Sequence, residues 1–328
     1  MKKSILNYLV ISVLAVLTAF SSCKKNNDDD NNENETVDVY IAGNDGKVAT
    51  VWKNGVAQNL TDGVNSANAS SVFVLGDDIY VAGNDGNVAT VWKNGVVQNL
   101  TDGSVKAHAS SVYISGKDVY VAGNEGSIAK LWKNGIGQNL TDGYTEANAY
   151  SVYVSGNDVY VAGDEWKKVD EYSFPVAIVW KNGEEKILTW EPSRAFSVCI
   201  SGDDVYVVGW DYPSPYATVW KNGESQKLRN GEQAYASSIY VSDSNVYVIG
   251  YNIEASNPNY AKIWKNNVVQ NLTDGVHRSK ANSVYVYDDD MYVAGSENGF
   301  AKFWKNGIGK NLTNGASSAN SIFVVKKK

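Results

Sequence analysis

Short apolar runs recur along residues 37–328, and Gly, Asn and Asp fill the gaps between them. The stretch ASSVFVLGDDIYVAGNDGNVATVWKNGVVQNLTDG carries four such runs: SVFVL, DIYVAG, VATVW and VVQNL. β-Branched and aromatic residues fill the runs, which suits a pleated, half-buried strand. The pattern predicts four short antiparallel strands, here a to d, with a turn after each. The c–d turn is Asn94-Gly95. A two-residue hairpin turn needs positive φ at both central positions, and Asn-Gly reaches it at low cost. Asn266-Asn267 holds the equivalent place in one copy.

The unit repeats. W-K-N-G/N stands at Trp52, Trp92, Trp132, Trp180, Trp220, Trp264 and Trp304, with spacings of 40, 40, 48, 40, 44 and 40. Upstream lies D/N-x-Y at Tyr40, Tyr80, Tyr120, Tyr160, Tyr206, Tyr247 and Tyr292. A further nine residues upstream in the six internal copies is the Ser of A-x-S-V/I: Ser71, Ser111, Ser151, Ser197, Ser238 and Ser283. The first copy starts at strand b, Val37-Asp38-Val39-Tyr40, and the chain finishes on an orphan strand a, residues 319–325.

Four antiparallel strands at a period near 40, seven times over, resemble the β-propeller family, as in WD40 and kelch proteins. The WD dipeptide, the kelch double glycine and the sialidase Asp-box are missing. The sequence is more similar to secreted bacterial propellers with VYVAG…WKNG repeats. The resemblance implies an all-β, seven-bladed β-propeller over residues 37–328, with four antiparallel strands per blade. Its ring would close when the C-terminal strand pairs with the first blade, three strands plus one, leaving no bare inner strand. The repeated Trp and Tyr are then expected to pack against the neighbouring blade, with the indole N–H satisfied. The motif lysines, such as Lys93, are expected to form a solvated ring of mixed charge beside the c–d turns.

Residues 1–22 have another character. Lys2 and Lys3 precede an apolar stretch, Leu6 to Phe20, and Ser21-Ser22-Cys23 follows. That is the layout of a secretory signal, and the apolar stretch is short for a transmembrane helix. The Cys resembles the lipobox of bacterial lipoproteins, which implies lipidation at Cys23. Residues 23–36 hold KKNNDDDNNENE, too polar to bury surface, and read as a flexible tether. The acidic run after the Cys is similar to the surface-export signal of Bacteroidota lipoproteins. The expected address is an exported outer-membrane lipoprotein, surface-exposed, a monomer, touching membrane only through its anchor.

Composition narrows the partners. The net charge is -7, with 36 acidic residues against 29 basic ones. Phosphate neutralisation needs a basic surface, so nucleic acid is not an expected partner. Two Cys exclude a disulfide framework, and two His leave little for a metal site. No metal or cofactor is expected.

The repeat breaks in one sector. Tyr-to-Trp spacing across the b–c loop is 12 in copies one, two, three and seven, but 20, 14 and 17 in copies four, five and six. The inserted loops are DEWKKVDEYSFP, WDYPSPY and YNIEASNPNY. Every non-motif Trp and every Pro falls in copies four to six. Strand a is entered through Tyr150 and Phe196 in blades four and five, where other copies have Ser or Asn. Because b–c and d–a loops share one face of a propeller, Trp166, Trp190, Trp210, Tyr150, Phe196, Arg194, Tyr172, Tyr212 and Tyr216 are the candidate ligand-binding residues. Exposed aromatics beside charged groups suit a glycan or glycopeptide.

Catalytic constellations are weak. His108 and His277 are placed in d–a loops without evident partners. Cys199 replaces a core Tyr and reads as a small apolar residue. Arg194, Arg229 and Arg278 suggest the Arg triad of propeller sialidases, but Arg229 falls within strand d. Asp164, Glu165, Asp170, Glu171, Glu191 and Asp211 offer carboxylates without a distinctive pair. The expectation is a lipid-anchored envelope binding protein and not an enzyme. The alternatives are a scaffold that binds another envelope protein and a glycoside hydrolase-like enzyme.

Overall fold

A computed structural model describes residues 37–327, apart from 214, 229–232, 243 and 254–258. The expected signal segment, the tether and Cys23 lie outside the described residues, as does Arg229.

The strands form seven separate four-stranded sheets, each ordered a-b-c-d. Together they make a seven-bladed β-propeller. In blade one the inner strand comes from the C-terminus. Ser317–Lys326 pairs antiparallel with Val37–Asp45, placing Ile322 opposite Ile41. The ring closes as three strands plus one.

Each motif Trp is buried between blades. Trp92 packs with Tyr40 and Val51 of blade one and with Val72 and Val81 of its own blade. The indole N–H groups do not follow the expectation. In Trp180, Trp220 and Trp264 the Nε1 is buried with no hydrogen-bond partner. Burial of the large ring outweighs one orphaned donor there.

The repeated Ser has a role that its spacing did not reveal. The backbone N–H of Val112 donates to Ser71 Oγ at 3.2 Å, and that of Val152 donates to Ser111 Oγ at 3.2 Å. Across the closure, Val72 N–H donates to Ser321 Oγ at 3.2 Å. Each such bond ties one inner strand to the next blade.

Strand a also starts earlier than the apolar run suggests. It spans Ala67–Leu75, Ala107–Ser115, Ala147–Ser155, Ser193–Ser201, Ala234–Ser242 and Ser279–Tyr287 in blades two to seven. The register slips by one between Ala69 and Ser71, leaving Ser70 as a bulge residue. Gly83 faces that bulge, and a Cβ there would stand 1.9 Å from the Asn68 carbonyl oxygen. This explains the glycine of the VYVAG repeat.

The motif lysines are more organised than a solvated ring. Lys93 pairs with Asp78 at 2.8 Å and lies 5.1 Å from the centroid of the Tyr80 ring. Asn94, at φ 52°, donates from Nδ2 to the same Asp78 and accepts from the Ile79 N–H. The hydrogen bonds from Lys93 and Asn94 hold the Asp78 carboxyl below its usual range. These exposed groups fix turn geometry more than they add stability.

Candidate binding site at the channel mouth

Strand a places two residues per blade beside its repeated Ala, and ten of these fourteen line the channel mouth. One precedes the repeated Ala of strand a: Asn68, His108, Asn148, Arg194, Tyr235, Lys280 and Ser318. The other follows it: Ser70, Ser110, Tyr150, Phe196, Ser237, Asn282 and Asn320. The first set pairs across to strand b, where Asn84, Asp164, Trp210 and Tyr251 stand opposite Asn68, Asn148, Arg194 and Tyr235. Fourteen inner-strand positions that sit behind one repeat motif thus carry dissimilar chemistry.

The mouth is a cavity of about 670 Å³ with two unlike walls. One wall is aromatic. Tyr150 and Phe196 meet edge-on at 5.3 Å between centroids, Phe196 and Tyr235 at 6.2 Å, and Tyr235 and Tyr251 at 5.5 Å. Trp210 contacts Tyr235 at 6.1 Å. Lys280 ends the arc, with Nζ 4.9 Å from the Tyr251 centroid.

The opposite wall is polar and ordered as a relay. Asn282 Nδ2 donates to Ser318 Oγ at 3.4 Å, and Ser318 Oγ donates to Asn320 Oδ1 at 2.8 Å. Asn320 donates to Asn68 Oδ1 at 2.8 Å, and Asn68 to Ser70 Oγ at 3.0 Å. Ser70 Oγ lies 3.0 Å from His108 Nε2, and His108 Nδ1 lies 2.7 Å from Asn84 Oδ1. Asn84 Nδ2 donates to the Gly86 carbonyl at 3.0 Å, which leaves its Oδ1 as the acceptor. His108 is therefore assigned a proton on Nδ1 and a lone pair on Nε2 that accepts from Ser70. Burial, with help from Lys106, pushes its pKa below the ordinary value, so the ring is held neutral. The expectation that His108 sits in a loop without partners is overturned. It belongs to an inner strand and has one partner on each nitrogen.

Beneath the aromatic wall lies a charged group. Asp164 is fully buried, and neither carboxylate oxygen has a hydrogen-bond partner. Arg194 Nε stands 3.9 Å from Oδ1, and Arg194 Nη1 donates to the Tyr150 hydroxyl at 3.4 Å. Burial pushes the Asp164 pKa up, and Arg194 pulls it back down. Burial, and then the nearby Asp164 charge, push the Tyr150 hydroxyl well above the usual phenol range. The pair fixes the orientation of Tyr150 at the mouth.

About three residues further along strand a, roughly 10 Å by strand rise, a second ring narrows the channel. Phe73 contacts Tyr113 at 5.0 Å and Phe323 at 4.7 Å, and Tyr113 contacts Tyr153 at 4.9 Å. Tyr240 and Phe323 flank Tyr285, each at 4.9 Å. Cys199 occupies the seventh position, and burial pushes its thiol up to about 11. It is protonated at neutral pH, in keeping with a packing role.

The candidate residues divide into two groups. Tyr150 and Phe196 line the mouth, while Arg194 and Trp210 stand behind its wall, against Tyr150 and Tyr235. Trp166, Trp190, Tyr172, Tyr212 and Tyr216 do not line the mouth. The blade-four insertion is not a loop but an extension of the b–c hairpin, Asp158–Val169 with Tyr172–Lys181. In it Trp166 pairs in register with Pro175, and Tyr172 at the tip is 75% exposed. Trp190 is 59% exposed. Tyr212 offers its carbonyl to Lys227 at 2.6 Å, and the same Nζ lies 5.3 Å from the Tyr216 centroid. Sequence reasoning missed Tyr235, Lys280 and the Asn–Ser–His relay as site residues. Their signal was the residue just before the repeated Ala of strand a, which varies in every blade but one pair while that Ala stays fixed.

No family model matches the sequence, and no curated protein matches it. Solved structures do resemble the fold. The β-propeller domain of the trilobed protease from Pyrococcus furiosus aligns with TM-score 0.51 and 12% identity, over 81% of this chain and 87% of that one. It is described as having an open velcro topology, whereas here the terminal strands pair. A puromycin-hydrolysing peptidase from Mycobacterium tuberculosis aligns with TM-score 0.50 and 12% identity, over 72% of this chain and 45% of that one. TolB from Acinetobacter baumannii aligns at TM-score 0.46 and 10% identity, over 72% of this chain and 62% of that one. This chain spans less than half the length of the peptidase. At such identity the likeness establishes the propeller fold alone. It does correct one expectation. The chain was expected not to be an enzyme, but propellers of this shape occur within peptidases, so the fold gives no ground against catalysis and the question is open.

Proposed function

We propose that the protein recognises a glycan at the channel mouth while a lipid on Cys23 holds it at the outer membrane, facing outward. The observation that carries the reading is the two-walled cavity. A sugar ring presents an apolar C–H face and a rim of hydroxyls. The arc Tyr150–Phe196–Tyr235–Tyr251 offers stacking surface, and the facing amides and hydroxyls offer donors and acceptors at fixed angles. The Ser110 and Ser237 hydroxyls line the cavity outside the relay and are free to bond a ligand. A volume of about 670 Å³ lies within the range of small-ligand sites. The rigid inner strands preorganise both walls, which lowers the ordering cost of binding.

The test is a broad glycan array probed with residues 37–328, beside a Tyr150/Phe196/Tyr251 triple-Ala variant and Trp190→Ala, each checked for folding. The reading expects binding by the parent and by Trp190→Ala, and loss in the triple variant. Loss in Trp190→Ala alone would move the site to the outer loops. Binding by none would end the glycan reading. The anchor is tested separately: Cys23→Ala should move the protein out of the membrane fraction.

A further inference from the structure

The chain has more acidic than basic residues, 36 against 29, yet no Asp or Glu is found among the described residues lining the mouth cavity. Two lysines line it, Lys106 and Lys280. Lys280 is unusual for its environment. Three other lysines on this face have carboxylate partners: Lys130 with Glu125, Lys302 with Glu297, and Lys167 with Glu165 at 2.8 Å. Lys280 is half-buried on strand a of blade seven and, among the described residues, has no carboxylate partner, only the Tyr251 ring beneath it. Desolvation and the nearby Arg278 both lower its pKa, so its charge is poorly compensated in the free protein. An arriving anion would relieve that deficit. The other charges nearby do not reverse the sign. Asp164 is buried behind the aromatic wall with Arg194 against it, and His108 is neutral.

We infer that the mouth selects an acidic saccharide, whose carboxylate or sulfate meets Lys280 while its ring lies along the aromatic arc. The inference rests on the glycan reading and deepens it. Lys280 ends the arc, so charge and stacking surface are adjacent and one sugar residue engages both. Lys106 adds a second, more exposed cation on the same rim.

The experiment is calorimetric titration of residues 37–328 with an oligogalacturonate and with its methyl ester. The pair shares backbone and stereochemistry and differs in charge. A sulfated oligosaccharide and its desulfated form serve as a second pair. The expected result is at least tenfold tighter binding of one acidic member than of its neutral partner, weakening as salt is raised. In Lys280→Gln, verified as folded by its thermal transition, that preference should fall several-fold. Equal affinity for charged and neutral members overturns the inference and leaves the glycan reading standing, as does a preference unaffected by Lys280→Gln. Failure of both pairs alongside an array that also shows no sugar binding defeats the glycan reading and the inference with it. Failure of both pairs while the array finds a neutral glycan defeats the inference alone.

Discussion

Tyr235 is the centre of the aromatic wall, and Tyr235→Ala is the sharpest test of whether that wall is one unit. Its ring contacts Phe196, Trp210 and Tyr251 at 6.2, 6.1 and 5.5 Å. An edge-to-face pair contributes about 0.5–1.5 kcal/mol beyond area burial. Two of the three pairs are near the long end of the range, so the lower figure applies to them, and the three together give about 2 kcal/mol. Partial burial of the ring adds about 1 kcal/mol. The expected loss is about 3 kcal/mol, a fall of roughly 6 °C or more in Tm for a domain of this size. Ligand affinity should fall as well, by about tenfold or more, because the loss leaves Phe196 and Tyr251 without a common neighbour. Scanning calorimetry and glycan titration read the two effects. Tyr144→Ala is the control. Its ring is 91% exposed on a d–a loop, and the change should stay within about 0.5 kcal/mol. If the two variants melt together, the ring contacts carry no energy and the wall is a coincidence of rotamers.

Two other outcomes follow from the same geometry. The folded His108 pKa lies below the ordinary 6.5, so as pH falls the unfolded chain takes up this proton first. Stability from this group is complete above about pH 6.5 and is lost as pH drops toward the folded value; Tm measured from pH 8 to 5 should show the decline, and His108→Asn should flatten it. The lowered carboxylates such as Asp78 begin to lose their contribution only from about their ordinary 3.8 downward, below the pH at which the His108 decline begins. An unchanged profile in His108→Asn would remove the imidazole from the relay. Deleting residues 317–328 takes away Ala319, Ile322 and Val324, all buried, and strips strand a from blade one. At about 1.5–3 kcal/mol for each of the two larger side chains, plus the lost ladder, the cost reaches the scale of total domain stability. The truncated chain should aggregate or melt far lower, and a parental Tm would contradict ring closure as a source of stability.

The fold was legible because seven copies of one pattern average out local noise. Any single SVFVL run is ambiguous, but the same run nine residues before every Tyr is not. Chain ends that lack and supply the same strand point to closure, and the pairing of Ile322 with Ile41 is its physical form. The apolar runs could not show where strand a begins. Asn68 and Ser70 are polar and small, so Ala67–Ser70 reads as a loop, yet the bulge opposite Gly83 extends the strand through it. The indole N–H groups of blades four to six were likewise invisible, since a missing partner leaves no trace in spacing.

The site was legible only where it broke the repeat conspicuously. Tyr150 and Phe196 replace Ser or Asn, and that contrast marked them. Insertions marked Trp166, Tyr172 and Tyr212 as strongly, but those residues spend their contacts within their own hairpins and loops. Length signals local change and says little about distance from the axis. The position before the repeated Ala does the reverse. That Ala is held fixed by crowding at the axis, while the residue before it varies. Asn68, His108, Asn148, Arg194, Tyr235, Lys280 and Ser318 are seven side chains on one scaffold position, and they sort into an aromatic and cationic side facing a neutral hydrogen-bonding side. Packing alone gives no reason for that sorting, because all seven sit at equivalent places in the ring. A ligand with one apolar face and one polar edge does.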